Sequence, residues 1–114
     1  MTKYLISFPA SAMKHLSTED LQVASVASHA VVQEAKDAGV WVFGGGINEG
    51  VPSVMVSDDG AVTNETYSQT REFDGGFTVL EVLTREEALI WAAKIAASCG
   101  CAQELREFHY SPES

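Results

Sequence analysis

Apolar and polar positions along the chain follow two different periods, and each change of period marks an element. Residues 3–8 form a short, almost wholly apolar run that predicts a strand. From about residue 18 to residue 38 the apolar positions recur at helical spacing, behind a cap at Ser17 or Thr18. Gly39 follows as the usual helix stop. The pattern predicts a strand followed by a long amphipathic helix.

This first helix is predicted to have one apolar face, rich in alanine, and one polar face. Small side chains permit a close approach, so we expect the apolar face to lie on a sheet. At about 100° per residue, the apolar face holds Val23, Ala24, Ala27, Ala30, Val31, Ala35 and Ala38, and the polar face holds Gln22, Ser25, His29, Gln33 and Lys36.

The middle of the chain predicts a second strand and a hairpin. Val40 to Phe43 reads as a strand, and the three glycines 44–46 are interpreted as its end or as a bend. This glycine run lacks the lysine and the hydroxyl residue of a phosphate-binding loop. Residues 51–57 and 61–66 predict a hairpin, because Ser-Asp-Asp-Gly at 57–60 is a strong turn signal. A polar loop then leads to Asp74-Gly75-Gly76.

The last third of the chain predicts a strand, a helix and a strand. Phe77 to Leu83 is apolar on both faces, as expected of a covered strand. Thr84 and Glu87 have the spacing of a capping box, which starts a helix that ends near Gly100. Residues 101–109 alternate and predict a partly exposed strand. The apolar side of this second helix is predicted to hold Ala88, Leu89, Ala92, Ile95 and Ala96.

The order of elements predicts one α+β domain over residues 1–114. Without the hairpin it is the ferredoxin-like βαββαβ order, with an antiparallel sheet whose first and third strands are central. Both helices should cover one face of the sheet, and no remaining segment is available for the other face. We therefore expect a second copy to pack there, sheet on sheet, in a homodimer.

Charge and cysteine content exclude several classes of function. The net charge is −9, from 16 acidic and 7 basic residues, and no basic cluster is present to bind nucleic acid or an anionic membrane. No run approaches a membrane span, and the N-terminal apolar run is too short for a signal peptide, so we expect a cytoplasmic protein. Cys99 and Cys101 are too few for a zinc site and are interpreted as packed, free thiols. No spacing indicates a metal or a cofactor.

Several segments along nearly the whole chain carry a family resemblance. They are Ser17-Thr18-Glu19-Asp20-Leu21, the helix bearing His29, Ala38-Gly39-Val40, Phe73-Asp74-Gly75-Gly76-Phe77, the run from Glu86 to Ile95, and Glu104-Leu105-Arg106-Glu107-Phe108. Together they resemble the DGPF-domain branch of the YCII-related family. That resemblance implies a dimeric α/β-barrel assembly of ferredoxin-like domains. It also implies a family active site to which no general reaction is assigned.

The segment that gives the branch its name is altered here. It resembles Asp-Gly-Pro-Phe, a small residue, then Glu-Thr-Lys-Glu, and the matching positions run from Asn64 to Glu72. Thr70 and Glu72 match, whereas Asn64 stands in place of the aspartate. An amide can hydrogen-bond a ligand or form a turn, but it cannot accept a proton as a base. The resemblance therefore implies the family's fold but not a reaction that depends on that carboxylate.

Candidate site residues follow from the resemblance and from side-chain chemistry. His29 matches a histidine of the family's first helix and is the candidate catalytic acid or base. Arg71 is suited to hold a carboxylate, with Asn64, Tyr67 and Glu72 lining the same cleft. The alternatives are a solvated or dimer-contact histidine and an exposed ion pair at Arg71.

Two functions remain open at this point. One is a cofactor-free enzyme that acts on a small, acidic organic molecule, and the other is a binding or accessory module without chemistry.

Overall fold

The computed structural model describes residues 1–113, and its centre is an antiparallel sheet of four strands. The strand order is β2-β5-β1-β6, so the predicted central strands β1 and β5 are confirmed. The order is compatible with a ferredoxin-like α+β fold. Strands β3 and β4 form a separate two-stranded sheet. The elements are β1 (Thr2–Phe8), α1 (Thr18–Asp37), β2 (Trp41–Gly46), β3 (Met55–Val56), β4 (Val62–Thr63), β5 (Gly76–Val82), α2 (Arg85–Cys99) and β6 (Glu104–Glu107).

Both helices begin at side-chain caps. Ser17 Oγ accepts from the Asp20 backbone N–H at 3.1 Å, and the Asp20 carboxylate accepts from the Ser17 N–H at 3.3 Å, which completes a capping box. At α2, Thr84 Oγ1 accepts from the Glu87 N–H at 3.2 Å, and this is one of the two bonds that the sequence predicted. Both helices end beside a left-handed glycine, and the predicted stop at Gly39 is confirmed with φ at +75°.

The core lies between the sheet and the helices. On the sheet it consists of Tyr4, Ile6, Leu80 and Val82, and on the helices of Ala24, Ala35, Ala88 and Ala92. The predicted apolar faces are too broad, because Val23, Ala30 and Ala38 on α1 and Leu89 on α2 are exposed. Only a narrow stripe of each helix reaches the sheet, since much of the contact that α1 makes is with α2.

The predicted bounds of four strands were wrong. Residues 44–46 do not end β2 but continue it, pairing with 76–78 of β5 beyond a bulge between Trp41 and Phe43. The hairpin strands are only two residues long each, although the turn at 57–60 forms as predicted, with Gly60 at φ +87°. Strand β6 is shorter than the predicted 101–109, because residues 101–103 form a turn held partly by the Gln103 side chain.

The face of the sheet opposite the helices is only partly covered. We call it the open face; Leu5 and Val79 lie at its centre, and the ion pairs Lys3–Glu81 and Arg106–Glu104 lie around them. At one end of this face, the Phe73 ring lies 4.4 Å from the Phe77 ring, centroid to centroid. The expectation that no segment of the chain could cover this face was therefore wrong at that end. The middle of the face carries no layer of its own chain.

Candidate functional site

A cavity of about 500 Å³ lies between the helices and the sheet at the β2 edge. We call it the helix–sheet cavity. Its volume is in the range of small-molecule sites, which is about 300–1,000 Å³. Three of its lining residues are buried and most of the others are half-buried, so its shape depends on the packing of the fold. Its lining consists of Phe8, Ser28, His29, Val31, Val32, Ala35, Lys36, Trp41, residues 44–46, Gly76, Phe77, Thr78, Leu80, Trp91, Ile95, Ser98 and Cys99.

Glycines and aromatic rings together form the floor of this cavity. The Trp41 indole lies directly over Gly44, where a Cβ atom would overlap the ring. The Phe8 ring lies over Gly76, where a Cβ atom would be 2.6 Å from Phe8 Cε1. Neither ring could keep this position beside a larger residue. The floor is therefore broad and apolar.

One wall of the cavity is the side of α1 that faces β2. His29, Val32 and Lys36 recur at spacings of three and four residues, which places them along one stripe of the helix. His29 is exposed at the mouth, as the sequence predicted. Among residues 1–113 it makes no hydrogen bond and no ion pair. Lys36 reaches over the floor, with Nζ 5.9 Å from the centre of the Trp41 ring.

The other wall is α2, which contributes Trp91, Ile95, Ser98 and Cys99. Cys99 is buried, Cys101 is half-buried just beyond the helix, and both thiols are free, as predicted. Burial raises the pKa of the Cys99 thiol. Burial also raises the pKa of Cys101, and the neighbouring Cys99 adds to this effect. Both groups therefore hold their protons at neutral pH, so neither is a ready nucleophile.

A second cavity, of about 530 Å³, lies among the loops between β2 and β5. We call it the loop cavity. Tyr67 and Arg71 both line it, so the structure brings two of the predicted binding residues together. Arg71 makes no ion pair or hydrogen bond among residues 1–113, so the expected exposed ion pair is not formed. Almost every residue lining this cavity is exposed, and only Met55 and Asp74 are half-buried.

The remaining predicted residues lie apart from these two groups. Asn64 is exposed directly after β4 and lines neither cavity. Glu72 lines a shallow groove on the open face beside Phe73 and Arg106. His29 therefore does not share a cavity with Arg71, Tyr67, Asn64 or Glu72 within one chain.

Sequence reasoning missed most of the helix–sheet cavity. The sequence pattern gives no site role to Trp41 or Trp91, predicts the end of a strand or a bend at the glycines, and places Lys36 on the polar face of the helix. A usable signal existed on α1, where Val32 interrupts the polar stripe between His29 and Lys36. A tryptophan followed three residues later by a glycine run is a second signal, because the glycines leave room for the ring.

No metal site or membrane span is found in the part of the chain that the structure describes. Residues 1–113 contain no group of three or more His, Cys, Asp or Glu side chains placed to hold a metal ion. No helix within this range is both long and apolar enough to cross a bilayer. No protein-family model matches the chain, and no curated protein matches it.

Proposed function

We propose that this protein binds a small, largely apolar organic molecule in the helix–sheet cavity and that it acts as a homodimer. The observation that carries the proposal is the cavity itself, about 500 Å³ in volume and backed by buried residues such as Ala35, Leu80 and Cys99. A preformed, mostly apolar cavity with few polar groups is the usual form of a small-molecule site. The resemblance to the YCII-related family is in keeping with such a role.

Catalysis by His29 without a cofactor is the first version of this function. The imidazole lines the cavity mouth, where it can exchange a proton with a bound molecule. In this version Arg71 does not orient the same molecule within one chain, because it lines the loop cavity instead. Once a substrate is known, His29→Ala should lower turnover by at least about a hundredfold. Unchanged turnover would reject His29 as the acid or base.

Binding without chemistry is the second version, and one observation favours it. A catalytic histidine is normally oriented by a hydrogen bond to its second ring nitrogen. His29 makes no such bond among residues 1–113, and Asn64 replaces the carboxylate that the family resemblance would supply. In this version His29 contributes only polarity at the mouth.

The homodimer is supported by the amount of surface that one chain leaves exposed. The accessible surface is 7881 Å², whereas a compact monomer of this size would expose roughly 6,100 Å². The radius of gyration is 15.7 Å, against about 13 Å for a compact domain of this length. The excess area of roughly 1,800 Å² is more than the ~800 Å² that each partner buries in a standard interface.

The open face is the surface that we assign to this dimer. Its centre is apolar at Leu5 and Val79, and charged pairs surround it, which is the usual pattern of a core and a polar rim. Two such faces packed sheet on sheet would give the dimeric α/β-barrel assembly that the resemblance implies. Native mass spectrometry of the purified protein should therefore show a dimer.

A pair of variants tests the location of the interface. Val79→Glu puts a charge in the centre of the open face, and we expect it to shift the protein to monomer in sedimentation experiments. Val26→Glu is the control, because Val26 lies on the outer side of α1 and is 74% exposed. A dimer that survives Val79→Glu but not Val26→Glu would move the interface to the helices.

A second pair of variants tests the cavity. The neutral aromatic probe 2-naphthamide, titrated by calorimetry, should bind the protein, and Ser28→Phe should abolish binding by filling the wall. Ser25→Phe is the matched control, since Ser25 is exposed one turn earlier on α1 and does not line the cavity. Equal effects of the two variants, or no binding of the probe to the folded protein, would reject the helix–sheet cavity as the site.

A further inference from the structure

The helix–sheet cavity has a charge opposite to that of the whole chain. The chain carries 16 acidic and 7 basic residues, yet no aspartate or glutamate lines this cavity. Its basic lining residues are His29 and Lys36. The loop cavity differs, because Glu49, Glu65 and Asp74 accompany Arg71 there. The absence of acidic side chains is therefore a property of one site and not of the surface in general.

The lysine at this cavity has no acidic partner in the protein. Among residues 1–113, Lys36 forms no ion pair, although acidic residues are common in the chain. Its Nζ lies 5.9 Å from the centre of the Trp41 ring, so the charge is held above the aromatic floor. By contrast, Lys94 lies over Trp91 and is also paired with Glu34. The Lys36 ammonium is thus available to a bound anion.

His29 and Lys36 place two basic groups along the same edge of the cavity. They are seven residues apart on α1, which is about 10 Å along the helix axis and nearly the same angular position. Val32 lies between them and faces the same cavity. The edge is therefore basic at both ends and apolar in the middle.

The shape of the floor restricts the other part of a ligand. The Trp41 ring lies against Gly44 and the Phe8 ring against Gly76, and both aromatic residues line the cavity on its sheet side. Aromatic pairs prefer stacked or edge-on contacts and gain about 0.5–1.5 kcal/mol beyond simple burial. A flat aromatic ring is the group that fits these surfaces best.

We propose that the ligand of this cavity is a small aromatic carboxylate. Its ring lies against Trp41 and Phe8, and its carboxylate lies at the α1 edge, paired with Lys36. This inference rests on the proposed function, since it specifies the ligand class of the same cavity. A hydrogen bond to a charged group contributes more than a neutral one, which gives the anion a clear preference.

Three probes of equal shape and different charge test the inference. They are 2-naphthoate, 2-naphthamide and 2-naphthylmethylamine, each titrated by calorimetry into the full-length protein at low ionic strength. We expect the carboxylate to bind about tenfold more tightly than the amide, and the amine to bind most weakly. We also expect added salt to reduce the preference for the carboxylate, because the α1 edge is partly exposed.

A variant of Lys36 tests whether its charge, and not the shape of the cavity, causes the preference for the carboxylate. Lys36→Met keeps an unbranched side chain without the charge, so it should bring the affinity ratio of 2-naphthoate to 2-naphthamide, both measured in this variant, close to one. Lys14→Met is the matched control, since Lys14 is exposed, has no ion pair among residues 1–113 and lies outside this cavity. It should change neither affinity.

The possible results distinguish the two proposals. Equal binding of all three probes would overturn the aromatic carboxylate and leave the proposed function standing. A preference for the carboxylate that Lys36→Met does not reduce would also overturn it, because the anion would then lie elsewhere. If no probe binds the folded protein, the proposed function fails together with this inference.

Discussion

The two cavities of this protein are similar in volume and differ in how deeply their lining residues are buried. Three residues that line the helix–sheet cavity, Ala35, Leu80 and Cys99, are buried, and most of the others are half-buried. The loop cavity is lined almost entirely by exposed residues between β2 and β5. A cavity keeps its shape when moving its walls would disrupt close packing. At similar volume, the cavity whose lining residues are more deeply buried is the better candidate for a binding site.

The hairpin beside the loop cavity shows the same difference in another form. Its two strands have two residues each, and Val51, Val56 and Val62 are all more than half exposed. A two-stranded hairpin is marginally stable by itself in water. This region therefore depends on local turn bonds, such as the one from the Ser57 N–H to the Ala61 carbonyl at 2.8 Å.

The largest expected effect contrasts one leucine of the core with one valine of the hairpin. Leu80 is fully buried between β1, β2 and the helices, so Leu80→Ala should lower the free energy of unfolding by about 2–5 kcal/mol. Val56 is 62% exposed, and Val56→Ala should cost less than about 0.5 kcal/mol. Urea unfolding of both variants measures the contrast. A cost above about 1 kcal/mol at Val56 that falls on dilution would mean that a second copy covers the hairpin.

A smaller effect is expected from two adjacent glycines in β2. Gly44→Ala places a methyl group where the Trp41 ring lies, so we expect a loss of about 1–3 kcal/mol and a red shift of tryptophan emission as the ring is displaced. At Gly45 the nearest atom to a new Cβ is Phe43 Cζ at 3.8 Å, which is an ordinary contact. Gly45→Ala should therefore stay within about 0.5 kcal/mol of the wild type. Equal losses of unfolding free energy at the two positions would contradict the contact between the Trp41 ring and Gly44.

The smallest effect concerns the two thiols and their dependence on pH. Burial raises the pKa of Cys99 and of Cys101, so each should react slowly with iodoacetamide at neutral pH. The unfolded chain releases these protons first as the pH rises, so their contribution to stability is complete below about pH 8.5 and is lost above it. Single-thiol variants, Cys101→Ser and Cys99→Ser, allow each rate to be followed against pH.

The reaction rates of the two thiols should also differ, because only Cys99 lines the helix–sheet cavity. Cys99 lines the helix–sheet cavity and is the more buried thiol, so it should react more slowly than Cys101. Saturating 2-naphthamide should slow Cys99 further and leave Cys101 unchanged. Reaction of Cys99 at the rate of a free cysteine, in protein shown to be folded, would place it outside the cavity wall.

Local sequence patterns were sufficient to predict the elements and their order. Local chemistry limited the first cap to Ser17 or Thr18, and it placed the cap at Thr84, the stop at Gly39 and the turn at 57–60, because each of these depends on neighbouring residues alone. The two most apolar runs of the chain were predicted to be the central strands, and they form β1 and β5 at the centre of the sheet. Local patterns were sufficient for these features.

Which residues share a site depends on how the elements pack in three dimensions. His29 and Arg71 were expected in one cleft, but a long helix and a separate loop carry them to different cavities. The cavity floor arose where Trp41 lies on Gly44 and Phe8 on Gly76, the second a contact between strands distant in sequence. Periodicity assigns a residue to a face of one element, whereas a site depends on the gap between elements. That gap is set by packing across the whole fold, which no local pattern contains.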